Sequence, residues 1–244
     1  MPNYVTSTCR VHGPADDVAR LKAAVFRTAP ADHSDAGGTL FDFNAIIPMP
    51  GSVSAASEST AAEEGMALIA ARGSRGAPYD RLGLYQARID WIRQEAGLPA
   101  DAPIADVATA FLKKYPDWEE QGKARIRALL DSGYASWYPW AIANWGTKWG
   151  AFRYAETGSE PFAFRFETAW SFPTPIFEAL IAQYPTLSFE CATFDEGWCF
   201  AGQGWFNGPP GSAPFAEGKA TDDLYRLVYG EEPPQDDDED DVDG

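Results

Sequence analysis

The chain has 244 residues, 45% of them hydrophobic, and a formal net charge of −17 at pH 7. The apolar content is enough for a folded core. The net charge argues against nucleic acid as a ligand, because proteins bind phosphates mainly through Lys and Arg side chains that displace counterions. The sequence has neither the basic and apolar regions of a secretion signal nor an apolar run long enough to cross a membrane, so we expect a soluble cytoplasmic protein.

Residues 1–50 predict a β-α-β unit. Residues 4–12 alternate as in a strand, with Val5, Ser7, Cys9 and Val11 on one face. Pro14 then suits the first position of a helix, and the residues after it carry apolar side chains at helical spacing. Alternation returns over residues 40–47 and predicts a second strand.

Residues 51–148 predict a helical insertion. Thr60 and Glu63 have the spacing of a capping box, which marks the start of a helix. Apolar residues recur at helical spacing in three further segments, which predicts three more helices. These stripes are Leu82, Tyr85, Ile89 and Ile92; Ile104, Val107, Ala108 and Phe111; and Ile126, Leu129 and Leu130.

Residues 149–206 predict the second half of the sheet. Alternation over residues 162–170 indicates a strand, Pro173 and Pro175 indicate the start of a helix, and a further strand with a hairpin partner follows. This order is the split β-α-β pattern of ferredoxin-like folds. We therefore predict an α+β fold, with a ferredoxin-like antiparallel sheet that is built from both ends of the chain and covered by two helices on one side.

Two segments follow the predicted sheet. Residues 207–230 are a C-terminal extension, and residues 231–244 contain nine acidic side chains and no basic one. Such a block of like charges without apolar periodicity predicts a disordered acidic tail.

Four motifs carry a resemblance to a known family. They are the segment Phe41–Pro50, the hexapeptide Asn144–Trp149, the segment Glu167–Ser171 and the strand end Phe200–Gly202. In these motifs the chain resembles the YubB-like, or Api92-like, family of ferredoxin-like-domain proteins from phages and conjugative plasmids. The resemblance implies a ferredoxin-like fold and a mobile-element context, and it implies no catalytic or binding residue.

No catalytic group or cofactor site is predicted. Three cysteines, Cys9, Cys191 and Cys199, lack the spacing of zinc ligands and are expected to be reduced thiols. Cys9 and His12 lie three positions apart on one predicted strand and so point to opposite faces, which argues against a thiolate–imidazole pair. We expect no metal and no cofactor, and the sequence disfavours catalytic activity without settling it.

The candidate binding residues cluster in the aromatic third quarter of the chain: Asn144, Trp145, Thr147, Lys148, Trp149, Thr168 and Trp170. One interpretation is packing, in which Gly146 makes a turn, the tryptophans are buried and Lys148 pairs with an acid such as Glu167. The other is a ligand or partner groove, in which Thr147 and Lys148 are exposed and offer polar groups between the tryptophan rings. Packing is favoured because buried tryptophans usually fill a core, but both interpretations stay open.

The resemblance and the acidity together favour an accessory protein of a phage or plasmid that acts by binding another protein and inhibits or modulates a host defence or replication component. A basic partner fits the charge. Two alternatives stay open. One is single-stranded nucleic acid handled on the sheet face, with Phe164 and Phe166 as stacking residues. The other is an enzyme that acts on a small molecule in a Trp-lined groove.

Overall fold

The computed structural model describes residues 3–73 and 86–234. These residues divide into two compact units. One unit is formed by the two ends of the chain, up to Pro48 and from Ile142 onward, and the other is formed by Met49–Ala141. Most of the predicted acidic tail lies outside the described residues.

The strands of the described residues form one large sheet and one small hairpin. Their bounds are β1 Tyr4–His12, β2 Phe26–Thr28, β3 Thr39–Phe41, β4 Phe152–Ser159, β5 Phe162–Ala169, β6 Ser188–Asp195, β7 Ala201–Phe206 and β8 Ala216–Gly218. The large sheet has the order β4-β5-β1-β6-β7-β8 with antiparallel pairing throughout, whereas β2 and β3 pair with each other. Strand β1 lies between β5 and β6, which confirms an antiparallel sheet built from both ends of the chain.

The helices complete the α+β fold that the sequence predicted. They are α1 Ala15–Val25, α2 Phe43–Ile46, α3 Gly51–Ser54, α4 Thr60–Gly73, α5 Gln86–Ala96, α6 Ile104–Lys114, α7 Pro116–Ser132, α8 Trp137–Trp145, α9 Thr174–Gln183 and α10 Asp222–Tyr229. Across residues 3–73 and 86–234, none of them combines the length and the apolar character that a membrane crossing requires.

Helices α1 and α9 cover one face of the large sheet, as predicted. Phe164 and Phe166 of β5 are buried on this face, and Phe177 of α9 stacks near Phe166 with ring centroids 6.3 Å apart. From α1, the Lys22 ammonium lies 4.2 Å from the centroid of the Phe162 ring. We call this side of the sheet the inner face.

Helix α10 covers part of the opposite side, the outer face. Thr221 caps this helix, since its hydroxyl oxygen accepts the N–H of Leu224 at 3.3 Å. Val228 of the helix packs against Phe194 of β6. The sequence analysis assigned no element to residues 207–230, so this cover on the outer face is an addition to the predicted architecture.

The predicted strand over residues 40–47 was wrong. Strand β3 ends at Phe41, and the Asp42 carboxylate then accepts the N–H of Asn44 at 2.9 Å, which caps the short helix α2. Phe43, the first residue of that helix, is buried. The first 50 residues therefore contribute one strand to the large sheet and a separate hairpin, not two strands of the sheet.

Strand β4 was not predicted. It lies at an edge of the large sheet, and its pairing with β5 shifts register between Phe152 and Ala155 and again between Glu156 and Gly158. Such bulges break the two-residue alternation by which a strand is identified in a sequence.

Helices α3 to α7 build the second unit. Helices α4 to α7 lie at the four segments where the sequence predicted helices. Helix α4 begins at Thr60, where the sequence predicted a helix, but the cap is Ser59, whose hydroxyl oxygen accepts the N–H of Ala62 at 3.1 Å, and not the predicted Thr60–Glu63 box. Leu82 and Tyr85 of the next predicted stripe lie outside the described residues. Helices α4 and α7 cross at Gly65 and Gly122, where a Cβ on Gly122 would lie 2.4 Å from the carbonyl carbon of Gly65. The two backbones are therefore in direct contact.

Candidate functional site

Trp145, the last residue of α8, anchors the aromatic motif. Its Nε1–H donates to the carbonyl oxygen of Ile47 at 2.9 Å, and its ring meets the Phe43 ring edge-on with centroids 6.1 Å apart. Only 9% of its surface is exposed. Asn144 precedes it, half-buried, in the same helical turn. The position of Trp145 fits the packing interpretation.

Gly146 makes the turn that the sequence predicted. Its φ of +80° lies in the left-handed region, where glycine avoids the strain that a side chain would cause. A Cβ at this position would also lie 2.7 Å from Cδ of Pro175. The Gly146 carbonyl oxygen accepts the hydroxyl of Ser171 at 2.5 Å. This bond ties the turn after α8 to the turn after β5.

Two buried threonines hold these turns in place. The Thr147 hydroxyl donates to the carbonyl oxygen of Trp149 at 2.6 Å, and the Thr168 hydroxyl donates to the carbonyl oxygen of Ser171 at 2.7 Å. Neither threonine has more than 1% of its surface exposed. The expectation that Thr147 is exposed was wrong, because its hydroxyl is used to close the turn.

Lys148, Trp149 and Trp170 form the accessible part of the motif, and we call them the tryptophan–lysine cluster. The Lys148 ammonium lies 4.9 Å from the centroid of the Trp149 ring and 4.7 Å from that of the Trp170 ring, which is cation–π distance. Trp170 is 42% exposed. Glu167, which the sequence suggested as a partner for Lys148, pairs with Nη1 of Arg153 at 2.8 Å.

The backbone of Trp170 is strained. Its φ of +73° is rare for a bulky side chain. The Trp170 N–H donates to the carbonyl oxygen of Asn3 at 3.0 Å, which holds the conformation against the start of β1. Strained residues cluster at functional sites, but this feature does not distinguish Trp170 from Trp198, which is also exposed and has a positive φ.

A groove of about 440 Å³ lies beside the cluster, and we call it the tryptophan groove. Trp145 and Trp149 lie in its wall, together with three further aromatic side chains of the core and the loop that joins β2 to β3. The lining residues are Tyr4, Asp32, His33, Ser34, Leu40, Phe41, Asp42, Phe43, Asn44, Trp145, Trp149, Gly150, Ala151 and Phe152. This size and this mixture of aromatic and polar groups are typical of a site for a small ligand or for one side chain of a partner.

The outer face of the sheet beyond α10 carries a second depression, of about 420 Å³. Arg10, Arg165 and Trp205 line it. Glu190 partly neutralises this surface, since its Oε2 lies 3.5 Å from Nη1 of Arg10.

The cysteines do not form a reactive site with histidine. Cys9 is buried on the inner face with its Sγ 3.5 Å from that of Cys191, whereas His12 packs against Trp205 with ring centroids 5.0 Å apart. Cys9 and His12 thus lie on opposite faces, as predicted. Burial raises the pKa of the Cys191 thiol well above its usual value. In the described part of the chain, no three His, Cys, Asp or Glu residues are grouped so that they could hold a metal ion.

Residues 145–209 match the family model described as "Ferredoxin-like domain in Api92-like protein". The matched segment contains every candidate residue except Asn144, and it comprises strands β4 to β7 with helix α9. No curated protein matches the chain. Among solved structures, the crystal structure of protein Api92 from Yersinia pseudotuberculosis is similar, with 10% sequence identity and a TM-score of 0.39 over 91% of this chain and 99% of that one.

Proposed function

We propose that this chain is an accessory protein of a phage or conjugative plasmid that binds another protein through the tryptophan–lysine cluster and thereby modulates a host defence or replication component. The binding part of the proposal rests on one observation, the Lys148 ammonium held against two tryptophan rings at an accessible surface. The mobile-element part rests on the sequence resemblance to Api92-like proteins, and a ferredoxin-like domain of that description matches residues 145–209.

The cluster has the chemistry of a protein-binding surface. Tryptophan is among the residues that contribute most binding energy at interfaces, because its large ring loses much apolar surface to water when a partner covers it. The hydroxyls of Thr147 and Thr168 already fix the turns that carry the rings. Binding therefore orders few additional groups, which reduces the entropic cost of association.

Nucleic acid on the sheet face has weaker support. Phe164 and Phe166, the residues considered for base stacking, are buried on the inner face, where the rings of Phe26 and Phe41 also pack against Phe164. The outer face offers Arg10 and Arg165, but Glu190 and the overall charge of −17 oppose phosphate binding.

A small-molecule substrate would have to use the tryptophan groove. His33 is the histidine in its wall, and Nδ1 of that ring accepts the N–H of Asp35 at 3.1 Å. This bond places the ring in a local turn. The groove therefore supports binding better than it supports acid–base catalysis.

Interaction capture from a lysate of the bacterial host tests the proposal. The full-length chain is used with Lys148→Ala, Lys148→Arg and Trp170→Ala. Trp198→Ala is the matched control, because Trp198 is also exposed and also has a positive φ, but it packs against Phe194 and Tyr225 beside α10.

We expect a protein that is recovered with the parent chain, with Lys148→Arg and with Trp198→Ala, and that is lost with Lys148→Ala and Trp170→Ala. Circular dichroism of each variant shows whether it is folded. Recovery of the same proteins by all the folded variants would refute binding through the cluster. An oligonucleotide retained by the parent chain in the same experiment would favour the nucleic-acid alternative.

A further inference from the structure

The tryptophan groove combines aromatic walls with carboxylates. Trp145, Trp149 and Tyr4 contribute ring surface, and Asp32 and Asp42 contribute acidic groups. Aromatic rings attract cations through the negative potential of their faces, and carboxylates attract them directly. The groove therefore has the chemistry to receive a cationic group.

The acidic groups around the groove differ in whether the protein itself already pairs or hydrogen-bonds them. Oδ2 of Asp42 lies 3.3 Å from Nε of Arg27, and the same side chain caps α2. Oδ2 of Asp35 accepts the backbone N–H of Arg153 at 2.5 Å. Among the described residues, no hydrogen bond or ion pair engages the exposed carboxylate of Asp32. Asp32 is thus the acidic group that a ligand could neutralise.

We propose that the tryptophan groove receives an arginine side chain of the partner protein, with the guanidinium over the tryptophan rings and against Asp32. This inference rests on the proposed function, because the arginine belongs to the partner protein that is proposed to bind the tryptophan–lysine cluster. A guanidinium fits better than an ammonium, since it is planar, stacks on aromatic rings and pairs with a carboxylate through two parallel hydrogen bonds.

The charge of the whole chain supports this choice of partner. A net charge of −17 attracts basic surfaces over a distance and repels acidic ones. One cation is already close, since the Lys148 ammonium lies 4.9 Å from the Trp149 ring centroid. The positive charge of Lys148 opposes a second cation at that ring, so the Asp32 carboxylate is the group that has to offset this repulsion.

Nuclear magnetic resonance titration of the full-length protein tests the inference without knowledge of the partner. The probe is N-acetyl-arginine amide, and the matched control ligand is N-acetyl-citrulline amide, which has nearly the same shape but no charge. The signals followed are the indole N–H resonances of Trp145 and Trp149. We expect saturable shifts with the arginine probe and roughly three- to thirtyfold weaker binding of the citrulline probe, as for loss of an exposed charge pair together with a cation–π contact.

Asp32→Asn should weaken binding of the arginine probe by about two- to fivefold. Asp131→Asn is the control variant, because Asp131 is an exposed acid of the other unit and its replacement changes the net charge equally. Equal binding of the arginine and citrulline probes by the parent protein would overturn the inference, and so would an unchanged affinity of Asp32→Asn for the arginine probe.

The outcome separates this inference from the proposed function. If a partner is captured through Lys148 and Trp170 but the arginine probe produces no saturable shift, the inference fails and the proposed function stands. If the arginine probe binds as expected but no captured protein depends on the cluster, the groove is an arginine site and the proposed function fails.

Discussion

Replacement of Gly122 by alanine tests the backbone contact between α4 and α7. An alanine Cβ would lie 2.4 Å from the carbonyl carbon of Gly65 and 2.5 Å from the nitrogen of Met66. Both are backbone atoms, so no change of side-chain rotamer can relieve the overlap. The helices must move apart by roughly 1 Å to restore an ordinary contact distance.

This separation loosens the packing along the whole helix pair. Overpacking of a core costs about 1–3 kcal/mol, and overlap with backbone atoms places Gly122→Ala at the upper end of that range. The higher helix propensity of alanine offsets about 1 kcal/mol. We therefore expect the free energy of unfolding of the helical unit to fall by about 2 kcal/mol.

Gly73→Ala is the matched control, because Gly73 also belongs to α4 and a Cβ at this position would meet no atom of residues 3–73 or 86–234 within 4 Å. We expect it to leave stability unchanged or to raise it by up to about 1 kcal/mol. Urea unfolding of the full-length variants, followed by far-ultraviolet circular dichroism, measures the difference. If Gly122→Ala unfolds at the same urea concentration as Gly73→Ala, the close crossing of the two helices is refuted.

Two further predictions concern the first unit. Thr147→Val leaves the carbonyl oxygen of Trp149 without its hydroxyl donor and should lower the free energy of unfolding by about 1–3 kcal/mol, whereas Thr147→Ser should keep most of the stability; a Thr147→Val variant as stable as the parent would contradict the role of the hydroxyl. Iodoacetamide should modify Cys199 alone in the native protein, as peptide mass spectrometry would show, because Cys9 and Cys191 are buried. The hydrogen bond with Asp195 and the charge of that carboxylate raise the pKa of the Cys199 thiol. Asp195→Asn should therefore shift the pH profile of Cys199 alkylation to lower pH. An unchanged profile would contradict the role of Asp195 in raising this pKa.

The parts of the fold that the sequence predicted are those with regular periodicity. Strand β1 alternates between buried and more exposed side chains from Ser7 to His12, and α9 carries apolar residues at helical spacing after Pro173. Strand β4 escaped prediction because its bulges interrupt alternation. The segment after Phe41 was misassigned because the aromatic residues Phe41 and Phe43 alternate as in a strand, while Asp42 between them starts a helix.

The candidate site could be predicted only in part for a similar reason. The hexapeptide that ends at Trp149 stands out by its residue types, and Gly146 could be recognised as a turn. The burial of Thr147 depends on a bond to a carbonyl group two residues away, which residue type alone does not reveal. Asp32 reaches the groove from the loop between β2 and β3, a position that only the tertiary structure brings near the tryptophans.

The strained backbone of Trp170 bears on whether the cluster serves folding or binding. A left-handed conformation costs a residue with a side chain about 1–2 kcal/mol, which glycine at the same position would avoid. The contact between the Trp170 ring and the Lys148 ammonium returns about 0.5–1 kcal/mol at an exposed site. The cation–π contact alone therefore does not offset the strain. The remainder is supplied by the hydrogen bond from the Trp170 N–H to the carbonyl oxygen of Asn3 and by the buried part of the ring. Folding alone therefore accounts for the conformation, and the 42% of the side chain that stays exposed is the part that a partner could cover.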